Sequence, residues 1–179
     1  MTALITADYA AHVAADLRAL GIPENYAELR RLTLQPEATE LVTARVLKDG
    51  RELKLVPAAA SAWTAMVTAA AADTVTLLLI SGFRSVEHQR LIVERKLAAG
   101  TPLAEILGVN AAPGYSEHHT GRAVDIGTPG CPRLTEEFEQ TPAFLWLARR
   151  AGDFGFRLSY PRDNPHGVIY EPWHWLQVG

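Results

Sequence analysis

The sequence predicts an α+β fold: a small antiparallel sheet flanked by helices. Two observations carry this. Helical apolar spacing recurs along the chain, and it is interspersed with short strand-like runs of hairpin type rather than regular strand–helix alternation. At 179 residues the chain is also the size of one domain, enough to bury roughly two-thirds of its unfolded surface.

The elements follow in order. Residues 8–20 have the apolar spacing of a helix, stopped by Gly21 and Pro23. Residues 41–47 and 51–56 read as two strands around Lys48-Asp49-Gly50, an Asp-Gly hairpin signal. The Ala-rich stretch 58–72 follows Pro57 and reads as a helix. Residues 74–80 form an apolar run that reads as a buried strand delivering Arg84 at its end. Residues 86–99 read as a helix ending at Gly100, and 102–107 as a short one. A strand over 123–126 carries Asp125, and 127–132 is loop. Residues 142–151 predict a helix with Phe144, Leu145, Leu147 and Ala148 on its buried face. Residues 156–160 and 173–178 are the last strands.

Composition narrows the function classes. An apolar fraction of 48% is ordinary for a globular chain. A formal net charge of −3 leaves no electrostatic footprint for nucleic acid. No run approaches the roughly 18 apolar residues of a membrane-spanning helix. The single cysteine, Cys131, excludes an intramolecular disulfide and suits a reducing compartment. Residues 1–20 are interrupted by Asp8, His12, Asp16 and Arg18, unlike a secretory signal. Cytoplasmic residence is the simplest expectation.

Two segments concentrate the chemistry. One is Ser116-Glu117-His118-His119-Thr120-Gly121-Arg122-Ala123-Val124-Asp125; the other is Glu171-Pro172-Trp173-His174-Trp175. Imidazoles with one carboxylate make a three-ligand zinc site with an open position, and a spare carboxylate can act as general base. His118 and Asp125 are seven apart. Gly121 and the β-branched Thr120 and Val124 disfavour a helix between them. A loop returning into a strand is expected, with Ala123 and Asp125 on one face and Val124 and Ile126 on the other. His174 is the best candidate for the third ligand. Glu171 stays close to it whether the segment is helical or, as Pro172 favours, extended or turning. His119 competes with His118, but neighbours on a strand face opposite ways.

The ordered pattern Ser-x-His-x-x-Gly-x-Ala-x-Asp, then Glu-x-x-His, resembles the zinc D-alanyl-D-alanine peptidases. These include the carboxypeptidases and dipeptidases linked to vancomycin resistance and related phage endolysins. A third match, Ser81-Gly82-Phe83-Arg84-Ser85 followed by Gln89, lies upstream. The resemblance runs from about residue 57 to the end and divides a single domain (1–179) into an N-terminal helix and hairpin region (1–56) and a peptidase core (57–179). It implies that His118, Asp125 and His174 bind zinc. It further implies that Glu171 is the catalytic base, that Arg84 steadies the oxyanion, and that Ser116 and Gln89 help hold the substrate. It implies the same α+β fold, and a peptidoglycan-derived peptide or D-alanyl-D-alanine as substrate.

Four peptidase readings share such a site: DD-carboxypeptidase, LD-carboxypeptidase, D-alanyl-D-alanine dipeptidase, and endopeptidase of the stem peptide. A zinc-stabilised binding domain is the non-enzymatic reading, since hedgehog-type domains resemble this family in fold and metal site. Glu171 and Arg84 argue for an enzyme, because a binding module has no need of a base and an oxyanion partner. The first 56 residues carry no motif. They are expected to complete the core, with a lid or cleft wall as the alternative.

Overall fold

A computed structural model describes residues 5–179 of the chain. Residues 1–4, the start of the stretch read above for a leader, lie outside the described residues.

The first helix, α1 (Ala7–Ala19), opens where the Thr6 hydroxyl accepts from the Tyr9 N–H, and it buries Val13 and Leu17. A four-residue helix, α2 (Tyr26–Leu29), follows. The hairpin of β1 (Val42–Val46) and β2 (Glu52–Leu55) forms around Asp49-Gly50. Then comes α3 (Pro57–Ala72), with Pro in its first turn, where no N–H is needed. Its buried Ala59, Trp63, Met66 and Ala70 recur every three or four residues and make one stripe.

Strand β3 (Leu78–Ser81) leads through Arg84 to α4 (Val86–Ala98), which the Ser85 hydroxyl caps. After α5 (Leu103–Val109) the chain makes a 3₁₀ turn (Glu117–Thr120) and enters β4 (Ala123–Gly127). A second 3₁₀ turn (Glu136–Gln140), α6 (Pro142–Arg150), a third 3₁₀ turn (Ala151–Phe154), β5 (Phe156–Leu158) and β6 (His174–Gln177) complete the fold. The main sheet is antiparallel in the order β3-β4-β6-β5. The expected α+β class is what the chain adopts. Among the described residues, no helix is long and apolar enough to cross a membrane.

Two apolar clusters support the site. The larger packs α3 and α6 against the sheet through Trp63, Met66, Leu79, Val124, Ile126 and Trp146. The smaller joins α1 and α2 to α4 and α5 through Val13, Leu17, Tyr26, Val93 and Ile106. Full burial of a side chain of this size is worth roughly 1.5–3 kcal/mol. Residues of the 1–56 region therefore build the back of α4. The extended stretch after α2 then braces the turn before β4: Gln35 N–H donates to Gly114 and Ala38 N–H to His119.

Three expectations change. Strand β3 starts at Leu78 rather than at residue 74, because Thr74 sits in the left-handed region (φ 61°), which strand residues do not adopt. Helix α6 buries Ala143, Trp146 and Leu147, while Leu145, placed on the buried face from sequence, is 54% exposed and Ala148 is exposed too. Trp146 sets that rotation: its ring is buried and its Nε1–H donates to Asp73 at 2.7 Å. His118 and His119 stand on a 3₁₀ turn, not on a strand. Adjacent residues there point about 120° apart.

Candidate metal centre and cleft

Strand register builds the site. Asp125 on β4 pairs directly with His174 on β6, and with Ser81 on β3 from the other side. Val124 and Ile126 point into the larger core, so Asp125 faces away from it, as the period-2 pattern requires. His118 arrives from the 3₁₀ turn, which ends at Gly121 in the left-handed conformation (φ 65°). Gly121 packs tightly: a Cβ there would lie 3.0 Å from Val56 Cγ1 and 3.1 Å from Leu41 Cδ2. The expected tight bend at Gly121 is what brings the turn back over β4. Gly82 is equally constrained, since a Cβ would meet the Lys54 carbonyl at 2.6 Å.

His118, Asp125 and His174 are buried, and each offers a donor atom within 4.8 Å of the others'. His118 Nε2 lies 3.3 Å from Asp125 Oδ2, and His174 Nδ1 lies 3.2 Å from Asp125 Oδ1. The two rings meet edge to face at 4.9 Å. The outer nitrogen of each ring is held. His118 Nδ1 is 2.7 Å from the Gly82 carbonyl, to which only an N–H can donate. His174 Nε2 is 2.9 Å from Glu117 Oε2. These outer bonds fix the tautomers that turn His118 Nε2 and His174 Nδ1 inward. Two nitrogens and one carboxylate oxygen converging this way fit zinc, whose catalytic sites take three such ligands and keep one position open.

The electrostatics agree. Burial alone would raise Asp125, but the His118 and His174 imidazoles hold it well below the carboxylate range. Burial alone would lower His174, yet Asp125 and Glu117 raise it to about 10. Without a cation, His174 is therefore an imidazolium donating to a carboxylate on each side. Metal binding at Nδ1 must displace a proton. Burial depresses His118.

Glu171 Oε2 lies 3.8 Å from His174 Nδ1. Its backbone closes a turn, with His174 N–H donating to the Glu171 carbonyl, so the segment is turning rather than helical. Burial pushes the Glu171 carboxyl up to about 7, opposed by His174. Arg84 projects from the end of β3 into the same cleft of about 280 Å³, which Ser116, Glu171 and Trp173 also line. The Arg84 guanidinium donates to Gln89 Oε1 at 2.9 Å. Ser116 caps the 3₁₀ turn through its hydroxyl.

One placement differs from the sequence reading. Gln89 was expected against substrate, but it is 0% exposed and stands behind Arg84; its other amide end donates to the Ala111 carbonyl at 2.7 Å. His119 is separated from the cluster because both its nitrogens are engaged. Nδ1 is 2.6 Å from the Arg84 carbonyl, and Nε2 accepts the Gly114 N–H at 3.1 Å. Burial lowers it to about 4, so it is neutral. Glu117 was not singled out from sequence. Its one signal was an acidic residue beside a candidate ligand, and its partner lies 57 residues away. No described residue before Arg84 lines the cleft, so neither the hairpin nor α1 forms its wall.

Residues 52–179 match the family model VanY, described as D-alanyl-D-alanine carboxypeptidase. The chain is 36% identical to a D-alanyl-D-alanine carboxypeptidase of Enterococcus faecalis, across 62% of this chain and 43% of that protein. It resembles the solved LD-carboxypeptidase LdcB at 30% identity and a TM-score of 0.72, covering 83% of this chain and 75% of that one. A vancomycin-resistance D,D-pentapeptidase VanY in complex with Zn(II) aligns at 32% identity and a TM-score of 0.62, across 79% and 80% of the two chains. The chain spans less than half the length of the first curated relatives it matches.

Proposed function

The chain belongs to the VanY family of D-alanyl-D-alanine carboxypeptidases, and from that premise we propose that it is a zinc-dependent carboxypeptidase. On this reading it releases the C-terminal D-alanine of peptidoglycan-derived peptides, as a DD- or LD-carboxypeptidase. The observation that carries the reading is that one cleft holds the His118–Asp125–His174 donor set together with Glu171 and Arg84.

His118, Asp125 and His174 would hold the ion. Zinc in such a site supplies Lewis acidity to the reacting carbonyl and to the attacking water. Glu171 takes a proton from that water and returns it to the departing amine. Its raised pKa suits both halves of the task, because a base near neutrality also serves as an acid. Arg84 presents its guanidinium to the oxyanion that forms as the carbonyl is attacked. Gln89 keeps that guanidinium in place, and Ser116 supplies a polar group on the cleft wall.

The test is mass spectrometry of products from tetrapeptide and pentapeptide stems and from free D-alanyl-D-alanine, with and without chelator. Loss of one terminal D-alanine, abolished by chelator and restored by zinc, is the expected result. The stem that is cut distinguishes DD from LD activity. Cleavage of free D-alanyl-D-alanine alone would replace the reading with a dipeptidase, an internal cut with an endopeptidase. No cleavage by zinc-loaded protein would leave a zinc-stabilised binding domain.

A further inference from the structure

Beyond the metal centre, the cleft presents two cations, Arg84 and Lys96, neither of which has a described carboxylate at ion-pair distance. Arg84 is held by the neutral amide of Gln89 and, at 3.5 Å, by the Ser81 hydroxyl. Lys96 also lines the cleft, and its Nζ donates to the neutral side-chain carbonyl of Asn110. Arg51, Arg90, Arg150 and Arg162 are each paired with Asp or Glu, while Arg45 and Arg122, like the two cleft cations, donate to neutral groups. A lysine ammonium has three donors, and Asn110 takes one. The other two, and the whole charge, remain for a ligand.

Lys96 is also held in place. Gln89 and Lys96 lie seven residues apart on α4, two turns along one face. Both reach the same neighbouring stretch: Gln89 the Ala111 carbonyl, Lys96 the Asn110 side chain. The amide that fixes Arg84 and the ammonium of Lys96 thus stand on one face of α4. Val109, Leu134 and Ile169 line the same cleft and are exposed.

We propose that Lys96 determines specificity by receiving a free carboxylate of the substrate, distinct from the carbonyl that reacts beside Arg84. The choice of peptide probes rests on the carboxypeptidase reading. The carboxylate has two sources in such a peptide, the terminal residue that leaves or an acidic residue on the acyl side.

Three peptides ending in D-alanyl-D-alanine separate them. The first has both carboxylates free, the second a C-terminal amide, the third an acyl-side carboxamide. Binding to zinc-loaded wild type, Lys96→Met and Lys96→Arg is measured by calorimetry, and KM and kcat by release of D-alanine or, from the amide, of D-alaninamide. Lys96→Met is expected to weaken binding of the first peptide about tenfold, the scale of one charge-assisted hydrogen bond. KM should rise in parallel while kcat falls far less, and Lys96→Arg should restore most of the binding. The tenfold penalty should vanish for whichever peptide lacks the recognised carboxylate, which identifies the source. Equal loss for all three peptides, no loss for any, or no binding by the wild type overturns the proposal. If the wild type binds the peptides but releases no D-alanine, the carboxypeptidase reading fails. The Lys96 assignment then stands or falls on the binding data alone.

Discussion

On the sheet wall of the cleft, Asp125 and His174 face each other across β4 and β6, and the contacts that set them are contacts between charged groups. On the helical wall, Arg84 and Lys96, with His119 bound to the Arg84 backbone outside the cleft, are held by neutral partners: the Gln89 amide, the Asn110 side chain and, for His119, two backbone groups. The difference is one of what each wall can lose. A buried charge left without its partner is costly, so removing one member of the sheet wall disturbs the rest. Neutral hydrogen bonds are individually weaker, so the helical wall can be altered one residue at a time.

The largest expected effect breaks the sheet wall. Asp125→Ala removes a ligand and leaves His118 and His174 without their shared carboxylate. Metal analysis should find no bound zinc, and turnover should disappear with it. Glu171→Ala on the same wall removes a base and no ligand, so zinc should stay while kcat falls ~10²–10⁴-fold. A zinc-free Glu171→Ala protein, or one of wild-type rate, would show that the separation of ligand from base is wrong.

The next effect lies on the helical wall. Arg84→Met should lower kcat ~10²–10³-fold, the usual loss for one preorganised donor to an oxyanion, with zinc content unchanged. Gln89→Leu should reproduce part of that loss, because it frees the guanidinium without removing it. If kcat of Gln89→Leu matches the wild type, Ser81 and the backbone suffice to aim Arg84.

Opposite pH linkage sharpens the comparison further. His119 is pushed down to about 4 by burial. Its contribution to stability is therefore fully present above the unfolded value near 6.5 and is lost as pH falls through 4. The shift corresponds to about 3 kcal/mol. His174 in the metal-free protein is raised to about 10. Its contribution is present below 6.5 and is lost as pH rises through 10. NMR titration of the metal-free protein should show the His119 ring unprotonated at pH 5.5 and the His174 ring still protonated at pH 8. A shared midpoint near 6.5 would erase the difference between the walls.

Much of the sheet wall was legible in the sequence because its rules are local. Period 2 put Asp125 opposite Val124 and Ile126, and the spacing around Gly121 allowed the return of His118. The Asp49-Gly50 turn and Pro57 likewise marked real boundaries. What was missed depends on distant partners. The face of α6 is set by the contact of Trp146 with Asp73, and helical periodicity alone does not weigh one aromatic anchor above its neighbours. Gln89 stood in the right segment, but its direction follows from Ala111 and Arg84, which no spacing specifies. His118 and His119 were separated for the wrong geometric reason. The turn carries both, and the Gly114 and Arg84 backbone groups decide which one faces the cluster.

The smallest expected effect tests what orients His174. Two devices act on it: the β4–β6 register that sets it opposite Asp125, and Glu117, which holds Nε2 at 2.9 Å while Arg157 stands 3.7 Å from its other oxygen. Glu117→Ala removes the second and leaves the first. Zinc affinity, measured by competition with a chromophoric chelator, should weaken ~10–100-fold, the usual cost of losing the partner behind a ligating histidine. Glu117→Gln should lose less, since its amide oxygen still accepts from Nε2 and only the negative charge is gone. An unchanged affinity in Glu117→Ala would mean that strand register alone aims the ring. The sheet wall would then owe its order to the backbone rather than to its charges.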